Sequence, residues 1–204
     1  MSLSSSHPSA GRRAALAAAA LALLAGAGPM PARAQSANLG DGFLCCNMRT
    51  DGKTWISDSN YLEKASVTLP AGTPLRHDGY GRQRVHVLID GKRFTIGNDY
   101  SRTLKLEEFA RRCIVAEDPR PRIAALPPAV RAAIEAFKVA PGMTREQVIL
   151  AIGYPITSEN PSLDAGEWRY WLHSFSPFVV RFDASGRVAT VESDPETLAR
   201  VFVR

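Results

Sequence analysis

The chain has 204 residues, with 25 Lys and Arg against 20 Asp and Glu and a formal charge of +5. So weak a basic balance gives little support to nucleic-acid binding. Three cysteines, Cys45, Cys46 and Cys113, lack the CxxC spacing of a redox pair and, with no His cluster nearby, do not point to zinc.

Arg12 and Arg13 precede the apolar run AALAAAALALLAGAG, and Ala32-Arg33-Ala34 has the small-x-small pattern of a signal peptidase site. The run falls short of the roughly 20 residues that span a bilayer. Residues 1–34 are therefore expected to be a leader cleaved near Ala34, leaving about 170 residues for one compact domain or two small ones. Arg12, Arg13 and Arg33 leave with it, which takes the charge from +5 to about +2. No cysteine occurs in the first 44 residues, and Leu24-Ala25-Gly26 is followed by Ala27, so no lipid anchor is expected. The expected location is the periplasm, with secretion as the other destination.

Residues 35–114 read as a β-rich module. GFLCCNMR at 42–49 enters as a strand, Asp51-Gly52 turns, and Trp55-Ile56 lead into the polar turn Asp58-Ser59-Asn60. Val67 and Leu69 alternate before the tight loop Pro70–Pro74. Val85, Val87 and Ile89 then share one strand face, and Asp90-Gly91 makes a hairpin into Lys92–Ile96. His77, between Arg76 and Asp78-Gly79, is expected in an exposed turn. Leu104 to Cys113 reads as an amphipathic helix. The order PAGTPLR followed by RVHVLIDGKRFTIG is similar to a bacterial SH3-like barrel, and this resemblance implies a small β barrel that contacts peptide or peptidoglycan.

Residues 115–127 are a Pro-rich linker, and Pro128 opens a helix to about residue 139. The segment GMTREQVILAIGYP at 142–155 carries both ends of a helix within it. Thr144 and Gln147 have capping-box spacing, and Met143 and Val148 have that of a hydrophobic staple. Glu146 meets the helix dipole, Gly153 suits the C-terminal cap, and Pro155 stops continuation. Strands are expected at 167–173, 177–183 and 187–191, the last two joined through Asp183-Ala184-Ser185-Gly186. The closing Arg200–Arg204 is expected as an edge strand or packed tail.

Gly142–Val148, Ile152–Pro155, Trp168 with Tyr170, Val180–Asp183, Gly186 and Val188 together resemble the SmpA/OmlA group, the domain of the BamE outer-membrane assembly lipoprotein. The resemblance implies an ααβββ arrangement over 128–204 and an accessory protein that docks onto periplasmic or outer-membrane proteins. Inhibitors of β-lactamase share that general fold, so the fold leaves the partner open. The fold class expected is thus α+β, an SH3-like barrel followed by an ααβββ domain.

The chain shows no nucleophile elbow, HExxH motif or glycine-rich phosphate loop, so no catalytic residue, cofactor or metal is expected. Trp168, Tyr170 and Trp171, with Tyr80 and Tyr100 in the first module, are the partner-binding candidates. Strand alternation puts Trp168 and Tyr170 on one face and Trp171 on the other. Non-catalytic binding is the leading function; a cell-envelope enzyme or inhibitor with a site between the modules is the alternative. One disulfide is expected, from Cys113 to Cys45 or Cys46, with a vicinal Cys45–Cys46 bridge as the third pairing.

Overall fold

The computed structural model describes residues 38–203, and the leader expected at 1–34 lies outside them. In chain order, β1 (Asp41–Leu44), β2 (Met48–Thr50), β3 (Trp55–Ser57), β4 (Val67–Leu69), β5 (Pro74–Gly81), β6 (Arg84–Ile89) and β7 (Lys92–Gly97) precede helix α1 (Leu106–Cys113) and strand β8 (Ile114–Val115). They form one eight-stranded sheet in the order β4-β2-β3-β7-β6-β5-β1-β8, so β4 and β8 stand at its ends. The β6–β7 hairpin turns on Asp90 and Gly91, both with positive φ (49° and 75°), as a two-residue primed turn requires. Val85, Val87 and Ile89 alternate into a core with Leu44, Ile56, Ile96 and Phe109 of α1.

The second half begins with α2 (Arg120–Ala124), a short helix inside the segment expected to be a linker. Then come α3 (Pro128–Glu135), α4 (Arg145–Ile152), and an antiparallel sheet of β9 (Glu167–Trp171), β10 (Pro177–Phe182) and β11 (Val188–Glu192) in the order β11-β10-β9. Helix α3 ends earlier than expected because Phe137 takes a left-handed conformation, φ 56°. Ile134, Val139, Met143, Val148, Trp168 and Val180 fill a second core. Ile149 of α4 packs against both cores.

Helix α4 has the start its sequence dictates. Thr144 accepts from the Gln147 amide and Gln147 Oε1 accepts from the Thr144 amide, a complete capping box. Its other end is finished by distant residues. The last carbonyls of a helix have no intrahelical donors; here the Asn47 amide donates to Leu150 at 3.0 Å, Asn47 Nδ2 to Ala151 at 3.0 Å, and Asn60 Nδ2 to Ile152 at 2.9 Å. Asn47 Nδ2 also reaches the Ile134 carbonyl at 2.6 Å, and its Oδ1 accepts from Ala71. Two buried asparagines in loops of the first half thus cap the C-terminal ends of α3 and α4. The described residues 38–203 lie in one compact unit accordingly.

Three expectations are corrected. His77 is buried on β5, not exposed in a turn, because Asp78-Gly79 forms a bulge between His77 and Tyr80 and the strand continues through it. The C-terminal segment is a helix, α5 (Pro195–Val201): Asp194 accepts from the Thr197 amide at its N-cap and Pro195 presets the first turn. The disulfide joins Cys45 to Cys46 in the bend between β1 and β2, and Cys113 is a free, buried thiol whose pKa burial pushes up to about 12.

Candidate protein-binding face

The alternation along β9 and β10 divides the aromatic residues between two faces. Trp168 and Tyr170 point inward with Phe178 and Val180. Trp168 is fully buried, edge-on to Phe182 at 4.8 Å. Tyr170 stacks on Phe178 at 5.4 Å and donates its hydroxyl to the Gly153 carbonyl at 3.1 Å. Arg145, from the capped helix, lays its guanidinium over Phe182 at 4.3 Å and donates to the Ala165 carbonyl. Trp168 and Tyr170, expected as partner contacts, are therefore core residues: their strand face meets α3 and α4, and no partner reaches them without opening that core.

The opposite face looks to solvent. Trp171 sits across from Pro177, and Val179 across from Arg169 and Glu192. These give a half-buried apolar patch of Trp171, Pro177 and Val179. Beside it Arg181 lies between Glu167 and Glu192, donating to both. Glu192 first, then Glu167, hold the Arg181 pKa above its ordinary value, and Arg181 lowers that of Glu192. The pairs are exposed, so their contribution to stability is small; they fix the polar half of the face in register. Phe175, at the β9–β10 turn, is 91% exposed, the most exposed large apolar side chain among the described residues. Its Ser-Phe-Ser-Pro setting was a local signal of an apolar residue placed at a turn, and the aromatic-strand pattern alone passed over it.

The remaining candidates separate. Tyr80 packs beside His77, ring centroids 4.5 Å apart, at the edge of the first core. Tyr100 is 44% exposed and lies 6.4 Å from Tyr61, in a cleft of about 360 Å³ that also touches Ser174 of the β9–β10 turn.

His173 and Ser176 make the clearest pairing of catalytic residue types, with Nε2 and Oγ 2.9 Å apart. A working Ser–His pair needs a third group that orients the imidazole. Asp194 borders the same depression, but its two carboxylate oxygens cap Thr197 and no hydrogen bond joins it to His173. The pair closes a hairpin: Ser176 also donates its amide to the His173 carbonyl. Among the described residues no group of His, Cys, Asp and Glu is arranged to hold a metal ion, and no helix is long and apolar enough to cross a membrane.

Residues 131–192 match the family model of the outer membrane protein assembly factor BamE domain. The matched stretch runs from within α3 to the end of β11, and so contains the whole outward sheet face. Among curated proteins and among solved structures, no significant match to the chain is found.

Proposed function

We propose that this protein is an exported, non-catalytic accessory of outer-membrane assembly that docks onto a periplasmic or outer-membrane protein through the outward face of β9–β11. The observation that carries the reading is the BamE-domain match over the residues that build this face. Trp171, Pro177, Val179 and Phe175 supply the desolvating contacts, and the Glu167–Arg181–Glu192 row supplies the polar rim. The leader, cleaved near Ala34, delivers the chain to the periplasm. Residues 35–114 serve as an SH3-like module adding contacts, 115–127 as its connection, and 128–204 as the docking domain.

The test is capture from envelope extract with the exported protein as bait. Trp171 is half-buried at the surface, so Trp171→Ala leaves the fold intact. Truncating a central aromatic costs about 2 kcal/mol of binding, roughly 30-fold in Kd. The expected result is loss of an outer-membrane assembly component from the Trp171→Ala and Phe175→Ser baits, both still folded by circular dichroism. Undiminished capture by both folded variants removes this face from the interface.

A further inference from the structure

The cleft beside Tyr100 lies outside the matched domain except at its rim. Arg49, Trp55, Tyr61, Glu63 and Tyr100 line it, with Ser174 at the far edge. Arg49 is its unusual member. The guanidinium is half-buried, donates to the Asn60 carbonyl at 3.0 Å and lies over the Phe137 ring at 4.9 Å. No carboxylate among the described residues lies within ion-pair distance of it, and its Nε is buried without a hydrogen-bond partner. Burial alone lowers its pKa to about 10. A desolvated cation without a counter-ion is costly, and it binds an incoming anion more strongly than an exposed arginine does.

The cleft's other charges narrow the anion. Asp51 Oδ1 accepts from the Lys53 and Trp55 amides, and Asp99 is bridged by Arg84 and Arg102. Glu63 keeps a free carboxylate at the rim, which disfavours a polyacidic ligand and admits a single carboxylate with neutral or basic neighbours. What carries that carboxylate follows from β4. This strand ends the sheet, pairs only with β2, and nothing among the described residues hydrogen-bonds to its other edge. Val67 on it is 53% exposed. An open edge of unpaired amides and carbonyls recognises another backbone. The register supplies the link: Arg49 lies opposite Thr68, so their side chains share one face, and a residue added opposite Thr68 shares it too.

We propose that an extended segment of a partner polypeptide adds to the β4 edge, sets one carboxylate side chain against Arg49, and rests an apolar neighbour on Tyr61 and Tyr100. The inference goes beyond the sheet-face reading, because β4 and Arg49 belong to the first sheet and are tested separately.

The experiment is an NMR titration of the exported chain with a capped heptapeptide of alternating valine and threonine carrying one central glutamate. The probes beside it are the glutamine counterpart, acetate and a peptidoglycan disaccharide. The glutamate peptide is expected to shift the amides of Val67, Thr68 and Leu69 and the Arg49 side chain, and to bind about tenfold more tightly than the glutamine peptide. Arg49→Gln is expected to erase that difference while residual binding persists. Val67→Lys, an edge charge outside either core, is expected to weaken both peptides, and Trp171→Ala to leave both unchanged. Equal affinity of the two peptides, no shift on β4, or preference of the cleft for the disaccharide each overturns the proposal.

Discussion

Asn47 ties the first half of the chain to α3 and α4. Its amide, Nδ2 and Oδ1 make four hydrogen bonds, to Leu150, Ala151, Ile134 and Ala71, all within the interior. Asn47→Ala leaves the carbonyl of Ala151 and the amide of Ala71 unpaired and buried, while the Ile134 carbonyl keeps the Phe137 amide. We expect a loss of about 2–4 kcal/mol in chemical denaturation; a loss below about 1 kcal/mol would show that water or a shifted backbone replaces these bonds. His77 gives a residue-scale dependence on pH. Its ring is buried, with Nδ1 meeting Asn38 and the Leu39 amide and Nε2 unpartnered. Desolvation lowers its pKa in the fold, only partly opposed by Asp78 and reinforced by His86. The unfolded chain therefore takes up a proton near pH 6.5 that the folded chain does not. Stability from this site is complete above that pH and declines as pH falls toward the lower folded value. His77→Gln should flatten the denaturation midpoint between about pH 5 and 7.

At the scale of elements, α4 and α5 show what local sequence can and cannot carry. Thr144→Ala removes one side of the capping box and should cost about 1 kcal/mol by thermal melting, whereas Arg200→Ala in the exposed last turn of α5 should cost under about 0.5 kcal/mol. The start of α4 was legible because Thr144, Gln147, Met143 and Val148 all act within one turn. Its end was not. Gly153 marked a stop, but the donors that satisfy the last carbonyls are Asn47 and Asn60, 104 and 92 residues away along the chain. The Asp90-Gly91 hairpin was legible for the same local reason as the capping box. Asp78-Gly79 is the same dipeptide used as a bulge, and only the pairing of β5 with both β1 and β6 distinguishes the two. Helix α5 has a local Asp194-Pro195 start that the edge strand or tail expected at Arg200–Arg204 left out of account. For the binding face, alternation separated Trp171 from Trp168 and Tyr170, but which side meets the helices is a tertiary fact. Arg49 gave no sequence signal, since an uncompensated charge exists only once its neighbours are placed.

At the scale of the whole molecule, the two cores are joined through α4, with Ile149 in both and the asparagine caps crossing between them. A fragment of residues 128–204 keeps its own apolar cluster but leaves the Leu150, Ala151 and Ile152 carbonyls at the end of α4 without their donors. It should melt well below the complete chain or populate a loosened state, while the complete chain unfolds in a single transition seen alike by Trp55 and Trp168 fluorescence. The inner side of the same β9–β11 sheet is packed into the second core, which suits a preorganised docking surface.

The most direct test of that docking role is a photo-crosslinking residue placed at Val179, at the centre of the face, in the exported protein within intact cells. We predict an adduct with a component of the outer-membrane assembly machinery that disappears when Trp171→Ala is added. An adduct unaffected by Trp171→Ala, or its absence at position 179 when a crosslinker at Val67 captures the assembly component, would contradict the account.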